Sequence, residues 1–255
     1  KKTVGVLAIL ALSFGISAQV KATISGEVFN SKEGDSVYIS KFLGNGMFQN
    51  FQGAKLAKGG KFNLITNLPA EDYYVIRYKN IGRQLIIRNA GAYQIYGDGN
   101  NFSLHTNIIG SDESVRLHEF MAAFEEYQKV REGNAVKLQA DPNNANFLNA
   151  ETNRAFEVFK GTVNEFYQAN MGSPALIGLL NVLDPEQDFG SYETVVNDLQ
   201  KSFGSSPTVQ SVYQLYLEKK KIKDQGNPLA IGKEAPDFEE LMLDRKTKMK
   251  LSDLR

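Results

Sequence analysis

His105 and His118 are the only imidazoles in the chain, and cysteine is absent altogether. Thiol–disulfide exchange needs a thiolate as the attacking group, so these residues cannot perform that reaction themselves. Disulfide staples and thiolate zinc sites are excluded with it. A histidine acts as a base or metal ligand when a hydroxyl nucleophile, a carboxylate or further ligands converge on it. The residues around His105 and His118 show no such spacing, and both are expected to be structural or surface groups. Glu125 and Glu126 are neighbours on an expected helix and point in different directions, so they do not form a carboxylate pair. The sequence therefore leads to an expectation of no catalytic, cofactor-binding or metal-binding residue, and of no cofactor.

Other short motifs also have plain readings. Gly44-Asn45-Gly46 and Gly97-Asp98-Gly99 resemble phosphate loops in composition, but no helix follows either, and hairpin turns explain both. Lys219-Lys220-Lys221 with Lys223 ends the last expected helix, where positive charge complements the helix dipole. Contact with a lipid or an acidic partner is the functional alternative. Asn101-Phe102-Ser103 fits the glycosylation triplet, a pattern too common to carry weight. Tyr73, Tyr74, Tyr93 and Tyr96 could line a glycan-binding or hydrolytic β face, although no carboxylate pair accompanies them.

The elements that would position these groups fall into zones. Lys1 and Lys2 precede a mostly apolar run, Thr3–Ile16, and Ser17-Ala18 offers a cleavage point before Gln19. The run is shorter than the roughly 20 residues of a membrane span, so 1–18 reads as an export signal. A retained anchor is the alternative. The numbering is expected to begin just inside the true start, and without a cysteine at the new N-terminus the mature protein is expected to be soluble, in the periplasm or cell envelope.

Residues 19–110 show short alternating stretches: Thr23–Phe29, Ser36–Ser40, Lys61–Ile65, Tyr73–Tyr78, Gln84–Ile87, Tyr93–Tyr96 and Phe102–Leu104. Gly, Asn and Asp clusters separate them, which predicts an antiparallel sandwich or barrel-like β domain.

From Ser111 the period changes to that of a helix. Val115, Phe120, Met121, Phe124 and Tyr127 form a stripe behind a Ser111-Asp112 cap. Further helices are expected over 146–171, 175–183, 191–203 and 207–223. Ser173-Pro174 and Ser206-Pro207 supply the capping residue and the proline of a first turn. Residues 111–225 thus read as a helical domain of about five helices. The segment 226–255 follows as a Gly- and Pro-containing linker leading into two short strands.

Charge is balanced overall, with 29 basic and 29 acidic residues. Residues 19–110 hold ten basic against six acidic, and 111–225 hold eleven against seventeen. Neither zone approaches the basic surface that nucleic acid requires, so no nucleic-acid partner is expected.

The closing stretch carries a resemblance. Ile231-Gly232-Lys233-Glu234-Ala235-Pro236-Asp237-Phe238 is followed by Leu251-Ser252-Asp253-Leu254-Arg255. The pair is similar to the opening of periplasmic thioredoxin-like proteins of the TlpA/ResA and AhpC/TSA (redoxin) group. There, I-G-x-x-A-P-x-F leads to L-S-D-L-[KR], then Gly-Lys, a buried strand and W-C-x-x-C. Arg245-Lys246-Thr247-Lys248 departs from that pattern by lacking the customary turn glycine. The order of export signal, β-rich domain, helical segment and thioredoxin-like start also resembles a Bacteroidetes-type architecture.

The resemblance implies an α+β chain that ends in the first hairpin of a thioredoxin-like domain, cut before its C-x-x-C. Pro236 and Phe238 would be structural. The chain would be the non-catalytic N-terminal region of an exported thiol–disulfide oxidoreductase concerned with cell redox homeostasis, and would position the redox domain or select substrates. Its partners would be exported protein substrates or envelope proteins, with no membrane contact beyond the signal peptide. The alternative is an exported accessory subunit of an envelope complex without redox activity.

Overall fold

Alternating buried and exposed side chains build most of the strands in the computed structural model, which describes residues 19–103, 105–225, 237, 239–241, 248–250 and 252. The expected export signal at 1–18 lies outside the described residues, as do Ile231–Pro236, Phe238, Leu251 and 253–255.

The architecture is mixed α+β: two four-stranded sheets, then a region of four α-helices, then a small hairpin. The strands are β1 (Val20–Phe29), β2 (Ser36–Gly44), β3 (Met47–Lys55), β4 (Lys61–Leu68), β5 (Asp72–Tyr78), β6 (Ile81–Ile87), β7 (Gly91–Asp98) and β8 (Thr106–Ile109). One sheet has the order β4-β1-β7-β8 and the other β3-β2-β5-β6.

The expectation of purely antiparallel pairing needs correction. β1 and β7 run parallel, with Ile24 opposite Tyr93 and Gly26 opposite Ile95. Parallel neighbours need a long connection, and here that connection is the four strands of the other sheet plus β4. Local turn signals cannot reveal it. β7 passes so close to β1 that a Cβ on Gly26 would lie 1.8 Å from the Ile95 carbonyl oxygen. Glycine is the side chain that this approach tolerates.

Both sheets contribute to one hydrophobic core. Ile24, Leu64 and Ile95 enter it from one sheet, and Ile39, Ile76 and Leu85 from the other. β5 and β6 bury side chains on both faces, since Tyr73 and Ile86 belong instead to a second cluster with helical residues such as Leu117 and Leu199.

Two further strand assignments change. β3 was not expected, because none of its side chains is buried and a period of two never develops. It pairs with β2 through two register shifts, at Ile39/Ser40 and Phe42/Gly44. The strand expected over 102–104 is not formed at Phe102 and Ser103, which lie in a turn, and Leu104 lies outside the described residues; the strand that follows is Thr106–Ile109. Phe102 sits in the preceding turn, fully buried beside Tyr78, and Gly97 makes room for its ring.

The helices are α1 (Asp112–Ala140), α2 (Ala145–Ala169), α3 (Phe189–Phe203) and α4 (Pro207–Gln225). α1 and α2 pair through an aromatic ladder. Phe120 stacks on Phe166 at 4.4 Å between centroids, and Tyr127 on Phe159 at 5.1 Å. Farther along, the buried Asn134 amide donates to Thr152 Oγ1 at 3.2 Å, a polar pin in an otherwise apolar seam. The helix expected over 175–183 is instead a 3-10 segment, Pro174–Asn181. Its three-residue period places Ala175 over Gly178 and Leu176 over Leu179, all four buried. A Cβ at Gly178 would lie 2.8 Å from Leu117 of α1, which explains the close fit.

The chain divides into two compact units, Lys1–Gln210 and Ser211–Arg255. Within the second, β9 (Glu239–Leu241) pairs antiparallel with β10 (Lys248–Lys250), placing Met249 opposite Glu240. Among the described residues no helix is long and apolar enough to cross a membrane.

Candidate functional site

The N-terminal stripe of α1 lies along the outer edge of β6, a strand whose other side is paired with β5. An edge strand leaves every second N–H and C=O without a ladder partner. Ser111, the helix cap, donates its hydroxyl to the Ile86 carbonyl oxygen at 2.8 Å, and the Ile86 N–H donates to Ser114 Oγ at 2.8 Å. The two hydroxyls lie 2.7 Å apart. Because Ser111 gives its hydrogen to Ile86, Ser114 supplies the hydrogen between them. One turn further, His118 Nε2 is 2.8 Å from the Gln84 carbonyl oxygen. A carbonyl only accepts, so Nε2 carries the proton.

Burial holds the His118 imidazole neutral, lowering its pKa to about 4. The Arg83 guanidinium pushes the same way, and the bond to Gln84 opposes the shift without overcoming it. Arg88 extends the seam to α3: Nη2 donates to the Ser202 carbonyl oxygen at 3.1 Å, and Nη1 lies 3.6 Å from Glu113.

A second polar node pins the start of α4 to β5. Asp72, almost fully buried, accepts from Ser206 Oγ at 2.6 Å and from the Thr208 N–H at 3.2 Å through Oδ1. Its Oδ2 pairs with the Lys41 ammonium of β2. Ser206 Oγ in turn accepts from the Val209 N–H at 3.2 Å. The carboxylate and the hydroxyl thus cap the helix together, in the position where negative charge favours a helix N-terminus.

These groups join elements of the fold. The Ser111 and Ser114 hydroxyls are buried and committed to backbone, and the His118 Nε2–H donates to the Gln84 carbonyl. Among the described residues no group of three or more His, Cys, Asp or Glu is placed to hold a metal ion. A cleft of about 180 Å³ between α2, the 3-10 segment and α3 is lined by Val163, Tyr167, Leu183 and Thr194. Tyr167 there donates to Asp198 at 3.0 Å.

The structure separates the residues singled out from sequence. His105 is exposed in the turn before β8, whereas His118 is buried against β6. Glu125 and Glu126 are exposed on α1, and Glu126 pairs with Lys129 at 2.6 Å. Gly44-Asn45-Gly46 forms the β2–β3 turn, and Asp98 of Gly97-Asp98-Gly99 accepts from Asn30 Nδ2 and the Asn100 N–H, each at 3.0 Å.

The tyrosines form no glycan platform. Tyr73, Tyr74 and Tyr93 are buried, and their hydroxyls donate to the carbonyls of Pro174, Ala70 and Asn89. Burial raises the Tyr73 phenol far above its usual range and pushes Tyr74 up to about 12. Tyr73→Phe is expected to strand the Pro174 carbonyl and cost about 1–2 kcal/mol in urea unfolding. An unchanged midpoint would show that water replaces the hydroxyl.

Asp72, Lys41 and Ser114 were not singled out from sequence. Ser206 was, as a cap, and Ser114 three residues after the Ser111 cap was the available hint. In the second unit, Asp237 of the A-P-D-F motif accepts twice from Ser252 of L-S-D-L. The backbone N–H and the hydroxyl of Ser252 each lie 2.8 Å from a carboxylate oxygen. Compared with protein-family models and with curated proteins, the chain matches none.

Proposed function

We propose that this chain is the non-catalytic N-terminal region of an exported thioredoxin-like thiol–disulfide oxidoreductase, acting in the periplasm or cell envelope. In this reading the two four-stranded sheets form a β-sandwich, and β9–β10 is the first hairpin of the thioredoxin-like domain. The chain positions that domain or selects its exported substrates.

One observation carries the reading. The two motifs on which the resemblance rests, thirteen residues apart from Phe238 to Leu251, are tied together by the paired Asp237–Ser252 bonds beside an antiparallel hairpin. The register that pairs Glu239 with Lys250 also carries Asp237 opposite Ser252, so the bonds extend the hairpin into the two motifs. Two-stranded hairpins are marginal in water by themselves, which suits a hairpin that joins a larger sheet. The many buried side chains committed to joining elements, with no accessible nucleophile among them, suit a positioning role.

The test is insulin reduction by the product of the intact gene, with this chain as the control. The intact product is expected to turn over and the chain to be inert. A gene product without C-x-x-C downstream of the hairpin overturns the proposal. Co-purification of such a product with envelope proteins would favour the accessory-subunit reading.

A further inference from the structure

α2 buries Leu148 and Phe159, the latter against Tyr127 of α1. One residue before each of them stands a second stripe that faces solvent: Phe147 is 69% exposed and Val158 68%. Glu151 and Arg154, both exposed, lie between the two. The steps from Phe147 to Glu151, Arg154 and Val158 are four, three and four residues. That spacing keeps all four on one side of the helix and matches the a/d repeat of a coiled coil.

The two charges in this stripe are not spent inside the chain. Glu126 with Lys129 on α1 and Glu157 with Lys160 on α2 close ion pairs at the same three-residue separation, at 2.6 and 3.9 Å. Among the described residues, Glu151 and Arg154 have no ion-pair partner.

The order of the four side chains says what would complement them. Read from either end the stripe runs apolar, charged, charged, apolar, with the two signs exchanged. Two copies laid antiparallel about a two-fold axis between Thr152 and Asn153 therefore match themselves. Phe147 meets Val158 of the second copy, Glu151 meets its Arg154, and symmetry repeats each contact. Ala150 and Ala155 fall on matching flanks of the seam, where small side chains let the helices approach. A bilayer would bury both charges without counter-charges, which is costly. A partner of different sequence would have to bring the same groups in reverse order, whereas a second copy brings them by symmetry. Contact along about three turns of helix buries less than the roughly 800 Å² per side of a stable interface. The pairing is accordingly weak and concentration-dependent.

We propose that the outer face of α2 is a self-association site, on which two copies of this chain pair antiparallel through Phe147, Glu151, Arg154 and Val158. It stands independently of the redox assignment.

Sedimentation velocity of the full chain across the micromolar range is expected to show a monomer–dimer equilibrium. Glu151→Arg sets arginine against arginine at both symmetric contacts, and Arg154→Glu sets glutamate against glutamate. Each is expected to weaken dimerisation about tenfold, with unchanged circular dichroism because the groups replaced are exposed. Mixing the two single variants brings opposite charges together at both contacts and should yield a heterodimer of near-parental affinity. The double variant, Glu151→Arg with Arg154→Glu, should pair with itself again. A parent that stays monomeric across that range, or single reversals that dimerise as the parent does, would overturn the proposal. So would a mixture or a double variant that remains monomeric, since restored charge complementarity must restore the dimer.

Discussion

Asp72→Ala is expected to lower the unfolding free energy of the larger unit by about 3–5 kcal/mol, the range for removing one partner of a buried charge pair. The loss has several sources. The Lys41 ammonium, with its side chain only 26% exposed, loses its counter-charge. Ser206 Oγ and the Thr208 N–H lose their acceptor at the start of α4, where an uncapped first turn adds to the loss. Asp72→Asn retains an acceptor for Ser206 and Thr208 and removes only the charge, so a smaller loss is expected. Urea unfolding followed by circular dichroism separates the two variants. Equal values for Asp72→Ala and the parent would mean that β5 and α4 are held together without this node.

Acidification is expected to weaken the fold through His118. Its folded pKa of about 4 lies below the ordinary value of 6.5, so the folded state binds the proton less readily than the unfolded chain. The contribution to stability is fully present above pH 6.5 and is lost as pH falls toward 4. From the two values, about 2 kcal/mol disappears between pH 7 and pH 5, and about 3 kcal/mol by the time His118 is protonated in both states. His118→Gln, which keeps an N–H for the Gln84 carbonyl but does not titrate, should flatten that part of the profile. Asp35 and Asp98 also lose a stabilising charge in acid. Tyr78 holds the carboxyl of Asp35 below its usual value and Asn30 that of Asp98, so their loss comes at lower pH. A slope between pH 7 and pH 5 that survives His118→Gln would place the sensitivity elsewhere.

Six of the eight strands in the two sheets were readable: in β1, β4 and β7 alternation records burial directly, whereas β5 and β6, buried on both faces, stood out as short apolar runs between turn residues. In β4, for example, Phe62, Leu64 and Leu68 are buried while Lys61, Asn63 and Ile65 are exposed. β3 was unreadable for the converse reason, since none of its side chains is buried. Phe102 misled because a buried aromatic beside a strand looks like part of it, whereas its ring is buried from a turn.

The parallel β1–β7 pair and the Asp72 node share a different obstacle. Ser206 lies 134 residues from Asp72, and no local period encodes contact over such a separation. What was readable of the node was its helical half, Ser206-Pro207, because capping is local chemistry. The tyrosines show the limit of reading residue types alone. Four phenols in a β-rich stretch suggested a recognition surface, and three are buried with their hydroxyls turned to backbone carbonyls.

Sealing β6 with Ser111, Ser114 and His118 has a consequence for biogenesis. A ribosome or translocase delivers the chain from its N-terminus, so all eight strands emerge before the first turn of α1. Until that helix arrives, the Ile86 N–H and the carbonyls of Gln84 and Ile86 form an open template, able to recruit a strand from a neighbouring nascent chain. The interval between synthesis of Ile87 and of His118 is then the period of greatest risk for misassembly, and the point at which a holdase would do most good.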